Sequence, residues 1–425
     1  MIDIIPANQL KNFMSRVTDI DEQTEQTVRN IVNDVKDRGD KALLDYTQRF
    51  DNVALTALRV SNKDIRDAVA SLDPLLLEDL KLAASNIRRY HEQQVPRTFE
   101  INVGSGSKLG RIAKPIASVG IYVPGGTAAY PSTVLMNAIP ARIAGVKKLV
   151  MITPPGKNGR VPANILAAAS VAGVDDIYTV GGAQGIAALA YGTETIPAVD
   201  KIVGPGNIYV AVAKKLVFGT VGIDMIAGPS EILVIADDTA NARFVASDLL
   251  SQAEHDELAS AILITTSKRL ASAVQDEIVK QTKTLSRKDI IASSLKNYGG
   301  IVLTDTIEDA IDIANTIAPE HLELVVANPD NYLDLIDNAG AIFIGSYTPE
   351  SLGDYIAGPN HTLPTNASSR FSSPLSVEDF ITYTSVLRFT RDDLATYQQS
   401  IRRIAMSEGL DAHARAATIR FDDER

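Results

Sequence analysis

Val119-Gly-Ile-Tyr-Val-Pro-Gly-Gly126 is a short apolar run closed by a Pro-Gly-Gly turn. A helix-length stretch, Ser132–Ala144, follows it, and then a second apolar run, Leu149-Val-Met-Ile-Thr153. Strand, turn, helix, strand is the unit from which parallel sheets are built. The same unit recurs down the chain. A helix over Ala163–Val171 leads to Asp176-Ile-Tyr-Thr-Val180, which runs through Gly181-Gly-Ala-Gln184 into a short helix. Lys201-Ile-Val203 runs through Gly204-Pro-Gly-Asn207 into another. Glu231-Ile-Leu-Val-Ile235, Ala261-Ile-Leu-Ile-Thr265, Ile301-Val-Leu303, Leu322–Val326 and Ala341-Ile-Phe-Ile344 continue the series with helices between them. The expectation is an α/β protein with parallel sheets and helices on both faces. The strands are too many for one simple doubly wound sheet, so two such halves are expected.

Upstream, Asp21 to Val95 reads helical. Val28, Ile31, Val32 and Val35 are spaced for one helix face, and Leu75, Leu76, Leu80, Leu82 and Ile87 for another. Arg97–Val103 and Lys108–Ile112 flank Gly104-Ser-Gly-Ser as a hairpin. Gly104-Ser-Gly106 is read as a turn and not as a dinucleotide loop, because no helical pattern follows it. Downstream, Gly345–Pro374 is a Gly, Pro, Ser and Asn-rich loop too long for a passive connector. Asp392–Glu408, stopped by Gly409, and Leu410–Ile419 read as two terminal helices forming an appendage.

The chain has 425 residues, 45% hydrophobic and 22% charged, which is ordinary for a soluble globular protein with several sub-domains. Its net charge of −11 argues against nucleic acid or an anionic membrane as the main partner. No run approaches the roughly 20 apolar residues of a membrane helix, and Met1-Ile-Asp-Ile-Ile-Pro lacks the pattern of a secretory leader. A cytoplasmic protein is therefore expected. The absence of cysteine excludes disulfides, thiolate metal sites and a cysteine nucleophile. Aldehyde chemistry, if any, proceeds here without a thiohemiacetal.

Five histidines carry most of the chemical information. His91 sits among Arg88, Arg89, Tyr90 and Glu92 on an expected charged helix face and is given no role. The other four fall at element ends or in the long loop, and catalytic groups are expected at the carboxyl ends of strands. Leu249-Leu-Ser-Gln-Ala-Glu-His-Asp256 ends an amphipathic helix built on Val245, Leu249 and Ala253. Gln252 and His255, three residues apart, share one of its sides. Ala318-Pro-Glu-His321 places a carboxylate beside an imidazole in a helix–strand connection, a pairing suited to general base and acid work near neutral pH. Asp354 and His361 lie in the long loop, and Glu408 and His413 flank the terminal turn. Each segment alone also reads as a solvated helix end or an Asx-turn. Gln252, His255, Asp354 and His413 together make a mixed nitrogen and oxygen donor set compatible with zinc. No HExxH motif occurs. The glycine turns at Gly125, Gly181 and Gly204 suit close approach by a ligand, and the helix starts after them suit phosphate. The regular G-x-G-x-x-G fingerprint is absent. Gly228-Pro-Ser-Glu231 is a further turn, with its Ser230 hydroxyl available to a substrate.

Eight segments in order, spread over almost the whole chain, resemble the signatures of the histidinol dehydrogenase family. They are Val119–Gly126, Val180–Gln184, Val203–Asn207, Ala227–Glu231, Ser251–Asp256, Ala318–Glu323, Gly358–Thr365 and Glu408–His413. The resemblance implies two incomplete Rossmann-like parallel-sheet domains, a helical N-terminal segment and a small C-terminal helical appendage. It divides the chain into 1–20, a first domain of 21–122 plus 230–375, a second of 123–229, and an appendage of 376–425. It implies a cytoplasmic homodimer that uses one zinc per subunit and NAD to oxidise L-histidinol to L-histidine through L-histidinaldehyde, in histidine biosynthesis. Gln252, His255 and Asp354 match the family's metal ligands, with the match to His413 coming from the partner subunit, and the zinc also holds the substrate. His321 matches the general base and Glu320 the group that activates water. Ser230, His361 and Glu408 match substrate contacts; Tyr122, Gln184 and Asn207 match NAD contacts. Two other readings compete: a zinc hydrolase of a small polar substrate using Glu320 as base, and a non-catalytic α/β protein that grips a solute.

Overall fold

A computed structural model describes residues 2–6, 21–125 and 129–424. Most of the expected N-terminal segment, and Gly126 of the first glycine turn, lie outside the described residues. The chain divides into two units, Met1–Gln94 with Ile116–Phe380, and Val95–Pro115 with Ile381–Arg425. No helix among the described residues is long and apolar enough to cross a membrane.

The first unit begins with four helices: α1 (Glu22–Arg38), α2 (Asp40–Phe50), α3 (Asn62–Ser71) and α4 (Pro74–His91). The long helical stretch expected from the sequence breaks into these four for local reasons. Gly39 turns left-handed between the first two (φ +56°), and Ser61 and Asp73 cap the last two. On α4 the buried stripe is Leu80, Ala83, Ala84, Ile87 and His91. Leu75, Leu76 and Leu82, expected on that face, are exposed. His91, expected on a charged face, is wholly buried and holds the Ile87 carbonyl through Nδ1 at 2.9 Å. The small Ala83 and Ala84, less hydrophobic than the leucines, complete the stripe at helical spacing.

Two five-stranded parallel sheets follow. The first contains β3 (Ser118–Tyr122), β4 (Lys148–Thr153), β5 (Asp176–Thr179), β6 (Lys201–Val203) and β7 (Gly222–Ile223), in the order β5-β4-β3-β6-β7. The second contains β8 (Glu231–Ala236), β9 (Ser260–Thr265), β10 (Gly299–Leu303), β11 (His321–Val325) and β12 (Ala341–Ile344), in the order β10-β9-β8-β11-β12. Each sheet starts at its centre, winds outward one way, then switches to the other side, as a Rossmann half does. The helices between strands are α5 (Pro131–Ala144), α6 (Ala163–Ala172), α7 (Gly182–Tyr191) and α8 (Ile208–Val217) in the first sheet. In the second they are α9 (Ala242–Ala253), α10 (Lys268–Thr282), α11 (Lys288–Tyr298) and α12 (Ile307–Ile317).

Both faces of the second sheet are covered. Ile232 and Val234 of β8 join a core with Val245 and Leu249 of α9, Leu270 and Val274 of α10, and Ile291 of α11. Leu233 and Ile235 point the other way, into a core with Ile307, Ile311 and Ala314 of α12. Each such valine, leucine or isoleucine contributes about 1.5–3 kcal/mol by burial. Every position of β8, β9 and β11 is buried. The ionisable residues that these strands carry, Glu231, His321 and Glu323, therefore need partners inside the protein.

The second unit is a three-stranded antiparallel sheet, β1 (Phe99–Val103), β2 (Ser107–Pro115) and β13 (Ile381–Arg388), with helices α13 (Arg391–Ser407) and α14 (Asp411–Thr418). The expected hairpin and terminal helices are present. Strand β13 went unrecognised, because its exposed, mixed surface gives no clean alternation. Asp393 ties this unit together: its carboxylate takes the N–H groups of Ser105 and Ser107, which holds it down at about 2.

Candidate active site

Two buried strand starts and one helix end create the site. β8 and β11 pair in parallel, with His321 beside Ile232, so the polar residues at their beginnings meet. The Glu231 N–H lies 2.9 Å from Oε2 of Glu320. Gln252, fully buried at the end of α9, reaches the same N–H with its amide oxygen at 2.7 Å when the amide is turned to satisfy both neighbours. Its nitrogen then donates to the Glu350 carboxylate, 3.1 Å from Oε2. His255 lies just past the helix, where its own N–H closes a tight turn on the Gln252 carbonyl at 3.1 Å.

The third contributor comes from the loop after β12. Glu350–Leu352 forms one α-helical turn and Gly353–Ala357 continues it as a π-helical turn. A stretch expected to be irregular is thus helical where it carries Glu350 and Asp354. His255, Glu350 and Asp354 offer ligand atoms that all lie within 4.8 Å of one another. One imidazole nitrogen and two carboxylate oxygens are a donor set that suits zinc or a similar divalent cation.

His321 faces this cradle. Its Nδ1–H donates to the Glu231 carbonyl at 2.9 Å, while Nε2 is buried without a hydrogen-bond partner. That nitrogen lies 3.8 Å from a Glu350 oxygen and 3.9 Å from an Asp354 oxygen. Burial pushes the His321 imidazole below its usual range, and Asp354 opposes this only in part. Neutral, with the proton fixed on Nδ1, the ring presents a bare lone pair to the cradle. His361 is held alike, its Nδ1–H on the Asp354 carbonyl at 3.1 Å, and burial pushes it down as well. Glu350 is 2% exposed, and burial first, then Asp354, raises it well above the carboxylate range.

Gln252, His255, Glu320, His321 and Asp354, with Ser230 next to Glu231, thus converge, and His361 stands beside Asp354. They gather at the amino ends of β8, β9 and β11, not at the carboxyl ends expected from the sequence. The amino edge of a parallel sheet is where the preceding helices finish, and helix C-termini carry partial negative charge that favours a cation. Tyr122, Gln184 and Asn207 do lie at a carboxyl edge, that of the first sheet. There Gly182 and Gly204 take positive φ (+62° and +112°), and a Cβ on Gly204 would collide with the Tyr122 carbonyl. Tyr122 is buried, its hydroxyl accepting from the Gly182 N–H at 3.4 Å, and Asn207 caps α8. Glycine turns ahead of two helix N-termini suit a phosphate-bearing ligand. Glu408 and His413 belong to the second unit, at the end of α13 and on α14, both exposed.

The family model described as histidinol dehydrogenase matches residues 14–421. The chain belongs to the histidinol dehydrogenase family. A histidinol dehydrogenase of Listeria monocytogenes is 56% identical over 402 residues, 95% of this chain and 94% of its own. One from Clostridium acetobutylicum is 55% identical over 396 residues, 93% of this chain and 92% of its own. The crystal structure of the Elizabethkingia anophelis histidinol dehydrogenase superposes with a TM-score of 0.94 at 41% identity, over 99% of this chain and 97% of that one.

Within this histidinol dehydrogenase fold, Glu350 is the functional candidate that sequence reasoning missed. It precedes Asp354 by four residues, the spacing of one helical face. That signal becomes visible only once Glu350–Ala357 is known to be helical.

Proposed function

We propose that this protein oxidises L-histidinol to L-histidine through L-histidinaldehyde, with two NAD per turnover. The observation that carries the reading is the bare Nε2 of His321, tautomer fixed by Glu231, aimed at the His255–Glu350–Asp354 cradle. In the first oxidation His321 Nε2 takes the hydroxyl proton as the substrate carbon gives up hydride. The Asp354 carboxylate then stabilises the imidazolium. In the second, Glu320 takes a proton from the water that adds to the aldehyde carbon, and the hydrate gives up the second hydride. Without cysteine, that water is the nucleophile the second step requires. NAD, when bound, accepts the hydride in each step, with Tyr122, Gln184 and Asn207 around it. Zinc, when bound, orients the substrate and lowers the entropic cost of alignment. His255, Asp354 and Gln252 hold it in this reading, and His413 of the partner subunit completes the set in a cytoplasmic homodimer. Gln252 must turn its oxygen from the Glu231 N–H to serve. Ser230, His361 and Glu408 contact the substrate.

Adding L-histidinol and NAD to zinc-replete protein should raise NADH absorbance, with two NADH formed per histidinol. A lack of NADH overturns the proposal and leaves the hydrolase reading; one NADH reduces it to an alcohol dehydrogenase.

A further inference from the structure

Pro140 sits inside α5, and its ring nitrogen carries no hydrogen. The carbonyl of Met136, a fully buried residue one helical turn earlier, therefore has no N–H from residue 140 to accept. Asn360 supplies the missing donor from a distant part of the chain: its side-chain nitrogen donates to that carbonyl at 2.7 Å. The second N–H of the same amide is placed for Nε2 of His91, 3.5 Å away. His91 gives its Nδ1–H to the Ile87 carbonyl at 2.9 Å, so Nε2 is free to accept. The Asn360 oxygen accepts the Thr362 N–H at 2.9 Å, which closes an Asx-turn over His361. Both polar atoms of the Asn360 side chain are thus engaged, and the residue is 5% exposed. Close by, Asn86 of α4 donates to the Ile356 carbonyl at 2.8 Å, and a Cβ on Gly358 would stand 2.7 Å from the Asn86 carbonyl oxygen. The loop is therefore seated on α4 before Gly358 and on α5 after it.

We propose that Asn360 is a positioning residue that uses the carbonyl left open by Pro140 to aim His361, a role that rests on His361 being a substrate contact. His361 donates Nδ1–H to the Asp354 carbonyl at 3.1 Å, so Nε2 is the nitrogen it offers. Where that nitrogen points depends on the backbone at 361. The Asx-turn fixes that backbone locally, and the Met136 contact fixes the turn to a rigid helix. α5 runs between β3 and β4 of the first sheet, whose carboxyl edge carries Tyr122 and Gln184. Asp354 and His361 belong to the group gathered at the amino edge of the second sheet. One amide therefore joins a helix of the cofactor-side sheet to the loop that faces the metal cradle. Asn360 itself touches none of the reacting atoms in this arrangement and acts through His361. Asn360→Ala leaves the Met136 carbonyl buried without a donor and the Thr362 N–H without its acceptor.

Pro140→Ala separates folding from positioning. It restores an N–H to α5, so the Met136 carbonyl keeps a donor when Asn360→Ala removes the amide. A carbonyl has two lone pairs, so Asn360 also keeps its bond when present. By urea unfolding of zinc-replete full-length protein, Asn360→Ala should lower the midpoint, and lower it clearly less when Pro140→Ala is also present. Equal losses in the two backgrounds break the link to Met136 and overturn the proposal. Kinetics with L-histidinol should not follow that rescue. Pro140→Ala should stay within about twofold of wild type, whereas the double variant Asn360→Ala/Pro140→Ala should lose about tenfold in kcat/KM, mostly through a raised KM. In a His361→Ala background, Asn360→Ala should cost less than about twofold more, because the residue it positions is gone. Rescue of kcat/KM along with the midpoint, or full additivity with His361→Ala, overturns the proposal and leaves Asn360 a packing residue. If Asn360→Ala alone does not fold, Pro140→Ala is compared with the double variant; a double variant that does not fold overturns the proposal too. A readout apart from turnover is the nuclear magnetic resonance of isotope-labelled histidine rings. The His361 signal, identified by its loss in His361→Ala, should move or split in the double variant and stay in place in Pro140→Ala. An unmoved signal overturns the positioning. A signal that moves, in a protein whose wild type forms no NADH, defeats the substrate reading alone.

Discussion

His321 donates Nδ1–H to the main-chain carbonyl of Glu231 at 2.9 Å, across two adjacent strands that are 90 residues apart in sequence. A carbonyl can only accept, so the contact dictates the tautomer and leaves Nε2 as the base. His321→Asn keeps a donor for that carbonyl, but its amide oxygen is not basic enough to take the hydroxyl proton. Turnover should fall about 10²- to 10⁴-fold, the usual worth of a positioned base, while zinc content by atomic absorption stays at the wild-type level. Loss of zinc would make His321 a ligand.

Glu320 and His321 divide two proton transfers between them. Glu320→Gln should spare the first oxidation and block the second. In single turnover the variant should form one NADH per histidinol and release aldehyde that a hydrazine reagent traps. Equal loss of both NADH equivalents would place Glu320 in the first step too.

The rate should respond to acid in a stated direction. His321 works neutral, and its burial holds it below the ordinary imidazole value of about 6.5. A bound cation pushes the same way. The first oxidation, followed under single-turnover conditions, should therefore stay level on lowering the pH through 6.5 and fall only below it. A fall centred above about pH 6.5 would contradict the burial.

Lys214 and Asp224 form an ion pair with side chains 2% and 1% exposed. Lys214 also donates to the Gly204 carbonyl at 3.1 Å, and Asp224 accepts the Gly204 N–H at 2.8 Å. The pair thus braces the glycine turn ahead of Asn207. Lys214→Met strands a buried carboxylate and should cost about 3–5 kcal/mol, read by urea unfolding. Surviving protein should show a raised KM for NAD more than a lowered kcat.

His413 is tested by subunit mixing. His413→Asn and His321→Asn proteins, each inactive, are unfolded, mixed and refolded together. If His413 acts in the neighbouring site, a mixed dimer regains one intact site, and activity should return to about a quarter of wild type for random pairing in a two-fold dimer. Mixed dimers that form and remain inactive place His413 in its own subunit's site.

Strands β4, β8 and β9 were legible because parallel strands buried on both faces carry near-continuous apolar runs, here Leu149–Ile152, Ile232–Ala236 and Ala261–Ile264. The reach of Gln252, His255 and His321 was legible because their segments form an ordered set of signatures. Glu350 was not, since its role depends on a helical turn inside a Gly- and Pro-rich stretch. Nor was the placement at the amino edge: strand direction in a sheet follows from pairing partners 89 or 90 residues apart, such as Glu231 with Glu320 and His321. His91 escaped because its neighbours Arg88, Arg89 and Glu92 are polar while it alone turns inward.

The outward winding of the second sheet also has a consequence for how the chain becomes active. β8 is the central strand, yet its second neighbour, β11, follows β9 and β10 in the chain. Until β11 docks, β8 is an open edge, and a bare apolar edge invites pairing with other chains. Glu320, His321 and Glu323 ride on that late strand or at its start. The event that closes the sheet during synthesis is thus also the event that delivers the base, and a nascent chain arrested before Glu320 exposes a sticky edge and has no catalytic power.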